Sequence, residues 1–204
     1  ALLHAQDQAL QFKVPLYIVF TLVPDFLKAK KRHFHFMLQG LEQVSDECRL
    51  LNIPFQIVFG KPEESLAKYL KIVKAGLLIT DFDPLRIKRE WSNKLISLVS
   101  IPVVEVDAHN IVPCRIASPK QEYGAYTIRP KIQKLLFEFL EPFPGMVPHP
   151  YAADHEDELI QWSNIYQQIQ IDNASSPKLN FESGFSGAKQ KLEYFILNDL
   201  EQYS

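Results

Sequence analysis

Residues 106–132 read VDAHNIVPCRIASPKQEYGAYTIRPKI, and what flanks them decides the fold. They follow Ile101-Pro102-Val103-Val104-Glu105-Val106, an apolar, β-branched run that reads as the last strand of a sheet. The stretch then carries Asp107, His109 and Asn110, the prolines Pro113 and Pro119, and the polar segment Lys120-Gln121-Glu122-Tyr123-Gly124. Arg129-Pro130-Lys131 leads into a helix that runs to about Leu140. A connection this polar is either an ordinary strand-to-helix crossover or a site or interface, because loops on a rigid scaffold tend to carry function.

Upstream, helical and strand patterns alternate. Ala1 to Phe12 is apolar at Leu2, Leu3, Ala5, Ala9 and Leu10, which suits an amphipathic helix. Val14 to Val23 is nearly continuous apolar sequence, as expected of a strand buried on both faces, and Pro24-Asp25 ends it. A helix is expected from His33 to Leu51, a strand from Ile53 to Gly60, and a helix from Glu63 to Lys74 with acids at its start. Gly76 to Thr80 reads as the third strand, Pro84 to Val99 as a helix and Val103 to Val106 as the fourth strand. Helices alternating with short buried strands imply a doubly wound parallel sheet of right-handed βαβ units. The first element is a helix, so the strand that should precede it is expected to be missing.

Downstream, residues 141–150 hold four prolines and a glycine, the clearest linker in the chain. Glu156 to Ile171 is compatible with a short helix carrying Trp162, and Asp172 to Phe185 is turn-rich. Gly187 to Tyr203 has helical spacing at Leu192, Phe195, Ile196 and Leu200. The expected organisation is therefore an α/β domain over 1–141, a linker over 142–186 and the start of a helical domain over 187–204.

Composition narrows the class. The chain has 204 residues, 47% of them apolar and 23% charged, and a net charge of −2, which is ordinary globular material. Residues 1–150 hold 19 Lys/Arg against 15 Asp/Glu, while residues 151–204 hold 3 against 9, supporting a boundary near Pro150. Cys48 and Cys114 are far apart and read as free thiols of a reducing compartment. Neither a G-x-G-x-x-G nor a Walker-type loop occurs among the seven glycines, which weakens a dinucleotide or nucleoside-triphosphate reading. Asp81 and Asp83 read as caps or solvated acids rather than metal ligands, and His149 and His155 as residues of a solvated linker. No metal site is expected.

The quoted stretch resembles the corresponding segment of class II cyclobutane-pyrimidine-dimer photolyases, which read VDAHN(I/V)VP followed by K-x-E-Y and R-P-K. Four further blocks match in the same order: Ala1-Leu2-Leu3-His4-Ala5, Val23-Pro24-Asp25-Phe26-Leu27, Phe36-Met37-Leu38-Gln39-Gly40-Leu41, and Thr80-Asp81-Phe82-Asp83-Pro84-Leu85-Arg86. The resemblance covers about residues 1–145 and continues more weakly to the end. It implies a Rossmann-like antenna domain whose opening, central strand lies before Ala1, making this chain a fragment. It also implies a parent that repairs dimer-containing DNA with light and reduced FAD. Its flavin pocket, lesion-binding and catalytic residues would follow Ser204, so none is assigned in this chain.

Open parallel sheets bind ligands outside the carboxyl ends of their strands. The resemblance implies an antenna pigment there, a deazaflavin or a folate, walled by Pro24, Phe26, Phe34, Met37 and Leu38 with Asp81 as a polar contact. The competing reading of Phe34, Met37, Leu38 and Leu41 is the core stripe of a helix, at i, i+3, i+4 and i+7. Glu122, Tyr123 and Arg129 are expected to form an interdomain network. Tyr126 stands where family members often carry a basic residue, so that contact is not carried over. The basic run Lys28 to His33 either meets phosphates or is a solvated helix entrance. Partners expected are damaged DNA for the full-length protein and no membrane, with the chain monomeric, inside the cell, in cytoplasm or nucleus. The alternatives from other classes are a cryptochrome-like light-signalling protein and a stand-alone α/β module for a nucleotide-like ligand.

Overall fold

The structure, a computed structural model, describes residues 1–142, 144–153, 160–169 and 181–203. Its elements alternate as the sequence implies: α1 (Leu2–Phe12), β1 (Ile18–Leu22), α2 (Lys31–Leu50), β2 (Phe55–Phe59), α3 (Pro62–Ile72), β3 (Leu78–Asp81), α4 (Arg86–Leu98) and β4 (Val103–Val106). A one-turn α5 (Cys114–Ala117), then α6 (Ala125–Phe139), α7 (Trp162–Gln168) and α8 (Gly184–Asn198) follow. Local chemistry sets several boundaries. Lys13 is left-handed (φ 56°) and returns its N–H to Ala9 and Leu10, closing α1 before Pro15. Gly60 (φ 107°) gives its N–H to the Leu22 carbonyl and turns the chain into α3, which opens with Pro62, Glu63 and Glu64.

The strands are parallel, but they do not form one sheet. β1 pairs with β2, Ile18 opposite Phe55 and Leu22 opposite Phe59. β3 pairs with β4, Leu78 opposite Val103 and Asp81 opposite Val106. Among the described residues these are two separate two-stranded sheets, so the fold is mixed α/β with short parallel strands, and the doubly wound sheet with its opening strand stays an expectation. Among the described residues β1 is paired on its β2 side alone and β3 on its β4 side alone, which leaves one edge of each pair open. The Ala1 amino group lies 4.0 Å from the Asp81 carboxylate, so α1 starts at the carboxyl end of β3.

Both hydrophobic clusters belong to the β1–β2 half. One joins Ala9, Leu16, Cys48, Ile53 and Phe55, and the other joins Leu22, Phe34, Leu38 and Ile165. The described part of the chain after Pro142 packs back onto the same half. Gln6, which is buried, exchanges two hydrogen bonds with the Val147 backbone, at 2.7 and 3.1 Å. The His149 N–H reaches the Leu51 carbonyl at 2.7 Å, and Asn52 Nδ2 donates to the His149 carbonyl at 2.8 Å. The His149 ring lies 2.9 Å from the Val14 carbonyl and is only 2% exposed, correcting the expectation of a solvated side chain. Its backbone bonds hold the ring under the turns that close α1 and α2. His155 and most of the turn-rich 172–185 segment lie outside the described residues.

Two helices differ from their sequence readings. α6 starts at Ala125, four residues before Arg129-Pro130, because the Gly124 carbonyl accepts from both the N–H and the hydroxyl of Thr127. Pro130 then forgoes one bond within α6 instead of preceding the helix. α8 starts at Gly184 rather than Gly187, where its backbone comes close enough to α2 that a Cβ on Gly40 would lie 3.4 Å from the Gly184 Cα. Among the described residues no helix is long and apolar enough to cross a membrane.

Candidate functional site at the carboxyl rim of the strands

The rim is built from the segments that leave β1 and β3. After β1, Val23 and Pro24 lead into a 3-10 turn at Phe26–Lys28, in which Leu27 (φ 46°) and Lys28 (φ 57°) are both left-handed. Non-glycine residues pay a steric cost there, so the conformation is imposed by its surroundings. The turn brings Phe26 against Trp91 of α4, ring centroids 5.8 Å apart. The Lys88 ammonium lies over both rings, 5.4 Å from Phe26 and 5.7 Å from Trp91. The sequence gives neither Trp91 nor Lys88 a role at the rim. Their only signal is the i, i+3 spacing that puts them on one face of α4.

The other rim candidates separate into two groups. Pro24 and Asp81 are exposed at the rim, with Asp81 facing the Ala1 amino group. Asp83 accepts the Leu85 N–H at 2.9 Å, a local turn bond ahead of α4. Phe34 and Leu38 are fully engaged in the core with Leu22 and Ile165, and Met37 packs at the edge of that cluster. The structure therefore brings Pro24, Phe26 and Asp81 to the rim and uses Phe34, Met37 and Leu38 in packing.

Beyond β4, Asp107 organises its loop. Its carboxylate accepts the backbone N–H groups of His109, Asn110 and Cys114, at 3.3, 3.2 and 2.8 Å, and both oxygens accept from Asn110 Nδ2. Burial works against its charge, but the bonds from Cys114 and Asn110 outweigh it and hold Asp107 below the usual carboxylate range. The Cys114 thiol is pushed up by burial and by its bond to Asp107, the opposite of what an activated nucleophile needs. Cys48, in the core, is pushed up to about 11 by burial and by Glu47. Among the described residues no group of three or more His, Cys, Asp or Glu is placed to hold a metal.

Glu122 accepts from Lys131 and from Ser118 Oγ (2.7 Å), and Lys131 also reaches Ser118 Oγ at 3.1 Å. The Lys131 and Ser118 bonds pull Glu122 down to about 2. Tyr123 is 91% exposed and Arg129 is exposed, so the structure joins Glu122 to Lys131 and leaves Tyr123 and Arg129 facing outward. On α2, Tyr166 of α7 donates to Glu42 at 2.6 Å, and its hydroxyl is pushed well up by burial and by that carboxylate.

Comparison with known proteins matches residues 1–149 to the DNA photolyase family. The chain is 40% identical over its whole length to the deoxyribodipyrimidine photo-lyase of Potorous tridactylus, covering 38% of that protein. It is 34% identical over its whole length to the deoxyribodipyrimidine photo-lyase of Arabidopsis thaliana, covering 43% of it. It is 36% identical over 70% of its length to that of Methanothermobacter thermautotrophicus, covering 32%. The chain thus spans about two-fifths of the length of the two relatives it matches end to end. A family match over three-quarters of the sequence, set on alternating helices and parallel strands, leads to one conclusion: the chain belongs to the DNA photolyase family.

Proposed function

We propose that this chain is the α/β portion of a class II cyclobutane-pyrimidine-dimer photolyase, a light-driven DNA repair enzyme. The observation that carries the reading is identity of 40% along the whole chain to a protein named for that activity. Reduced FAD, when bound to the parent protein, supplies and takes back the electron that splits the cyclobutane ring of a base turned out of the helix. We place the flavin outside these 204 residues, which span about two-fifths of the relatives they match end to end. The chain by itself is then a fragment without repair activity.

The missing strand belongs to the same proposal. A strand running into Ala1 would lie between β1 and β3, pair with both free edges and turn the two small sheets into one. Three features support this: α1 starts at the carboxyl end of β3, both inner edges lack partners among the described residues, and strand-helix-strand crossovers are right-handed.

At the rim, Phe26, Trp91 and Lys88 offer a flat apolar face with a cation, which fits a planar antenna pigment. Phe34, Met37 and Leu38 are engaged in packing, so Phe26 and Asp81 are the contacts we retain with Pro24 beside them. The interdomain role of Glu122, Tyr123 and Arg129 is proposed in modified form. Glu122 braces the start of α6 through Lys131, and exposed Tyr123 and Arg129 meet the rest of the protein. The free thiols Cys48 and Cys114 support a reducing compartment, cytoplasm or nucleus, and we take the protein to be a monomer.

The test is light-dependent reversal of a thymine dimer in an oligonucleotide by the protein translated from the complete transcript. Repair under blue light and none in darkness is expected, while the 204-residue chain retains no flavin. A stoichiometric flavin spectrum from the chain alone, or a flavin-loaded parent that cycles in light without repairing dimers, contradicts the reading. The second outcome would favour the signalling alternative.

A further inference from the structure

The basic run at 28–33 has a neighbour that the sequence did not show. It opens α2 at the rim, two residues after Phe26, and Phe26 is held against α4 by Trp91 and Lys88. One segment supplies Lys28, Lys30, Lys31 and Arg32, and the start of α4 supplies Arg86, Lys88 and Arg89. All but half-buried Lys88 are exposed, and none forms an ion pair among the described residues. Four carboxylates lie in the same two segments. Asp81 faces the Ala1 amino group and Asp83 is taken by the Leu85 N–H, leaving Asp25 and Glu90. These two segments carry seven basic against four acidic residues, although the chain carries −2.

This arrangement works against local stability. Helix N-termini favour acids, and α3 obeys with Glu63 and Glu64, yet α2 and α4 have no acid in their first turns. Cations gathered beside two helix dipoles of the same sign repel one another and are relieved by a polyanion. Exposed cations without ion-pair partners among the described residues, gathered on one rim, are what the phosphodiester backbone of a nucleic acid engages.

We propose that this rim is a DNA contact separate from the lesion pocket, with Lys28, Lys30, Lys31 and Arg32 meeting the phosphodiester backbone of an undamaged stretch of strand. The proposal rests on the DNA-repair reading only for the choice of polyanion. An acidic membrane surface would answer to the same charge and is separated from DNA by the vesicle measurement below.

The test is fluorescence anisotropy of a labelled, undamaged single-stranded oligonucleotide with the full-length protein, from about 50 to 200 mM salt. The variant is Lys30→Glu/Lys31→Glu, and the control with the same charge change is Lys68→Glu/Lys71→Glu on exposed positions of α3. The rim variant is expected to lose about tenfold in affinity at low salt and to flatten the salt slope by about 1.4, with the control close to wild type. Equal losses in the two variants, or an unchanged slope, overturn the proposal. So does loss of binding to phosphatidylserine vesicles with DNA binding intact. Thermal unfolding of both variants separates a folding defect from lost contacts. Dimer repair measured on the same samples separates this proposal from the reading beneath it: unchanged DNA binding with intact repair removes only the rim contact.

Discussion

The β1–β2 half and the β3–β4 half are built from the same unit, two parallel strands and their helices, yet they are held together very differently. The first half owns both hydrophobic clusters, has α1 and α2 packed on it, and is strapped by residues 146–149 and covered by α7 and α8. In the second, the strands Leu78–Asp81 and Val103–Val106 contribute no fully buried residue, and Leu95 is the one buried position of α4. The contrast is instructive because strand sequence alone does not make a core. Leu78-Ile79-Thr80 and Val103-Val104 are as β-prone as Ile18-Val19-Phe20. What separates the halves is how many other elements return to cover them. Regions with few buried apolar contacts open locally at lower free energy, so the second half should be the softer one.

Four changes sharpen or break that contrast. Leu38→Ala should cost the most, about 2–5 kcal/mol in urea unfolding, because Leu38 is 0% exposed at the centre of the second cluster. Gln6→Ala should cost about 1–3 kcal/mol, since it removes the two hydrogen bonds that the buried Gln6 side chain exchanges with the Val147 backbone. That variant should also become more open to proteolysis near residues 146–150. Ile79→Ala, in the half-buried second pair, should cost only about 1 kcal/mol. A loss equal to that of Leu38→Ala would erase the distinction between the halves.

The smallest effect is pH-dependent. Glu122 is held near 2 in the folded chain, below its unfolded value, so its contribution is fully present above the ordinary glutamate range and is lost as pH falls towards 2. Glu122→Gln should therefore melt below wild type at pH 7, with the two converging between about pH 4.5 and 2. A gap that stays constant over that range would show that Lys131 and Ser118 do not hold the carboxylate.

The alternation of helices and strands was legible because its punctuation is local. Pro24-Asp25, Gly60 and Pro62 fall where one element ends and the next begins, and β4 coincides with the apolar run read from the sequence. The start of α6 was misplaced because Pro130 reads as a helix boundary, whereas Gly124 and Thr127 supply the one that forms. The strap was not legible at all. Gln6 and Val147 are 141 positions apart, and nothing local marks a linker histidine for burial. At the rim, Phe26 and Asp81 could be placed from strand ends, but the helical spacing of Phe34, Met37 and Leu38 fits a core stripe and a ligand wall equally. Packing against Ile165, more than a hundred residues away, decides where those side chains go.

In the proposed sheet the two strand pairs flank a shared central strand, with the ligand rim at the carboxyl end. Ile18 donates to Pro54 and Leu78 to Pro102, so by alternation the N–H groups of Val19, Thr21 and Ile79 point to the inner edges. The most direct measurement is amide hydrogen exchange at those three positions, in this chain and in the protein translated from the complete transcript. Fast exchange in the chain and strong protection in the longer protein is the predicted result. Equal exchange at Val19, Thr21 and Ile79 in both would contradict it, leaving two independent pairs and no shared rim.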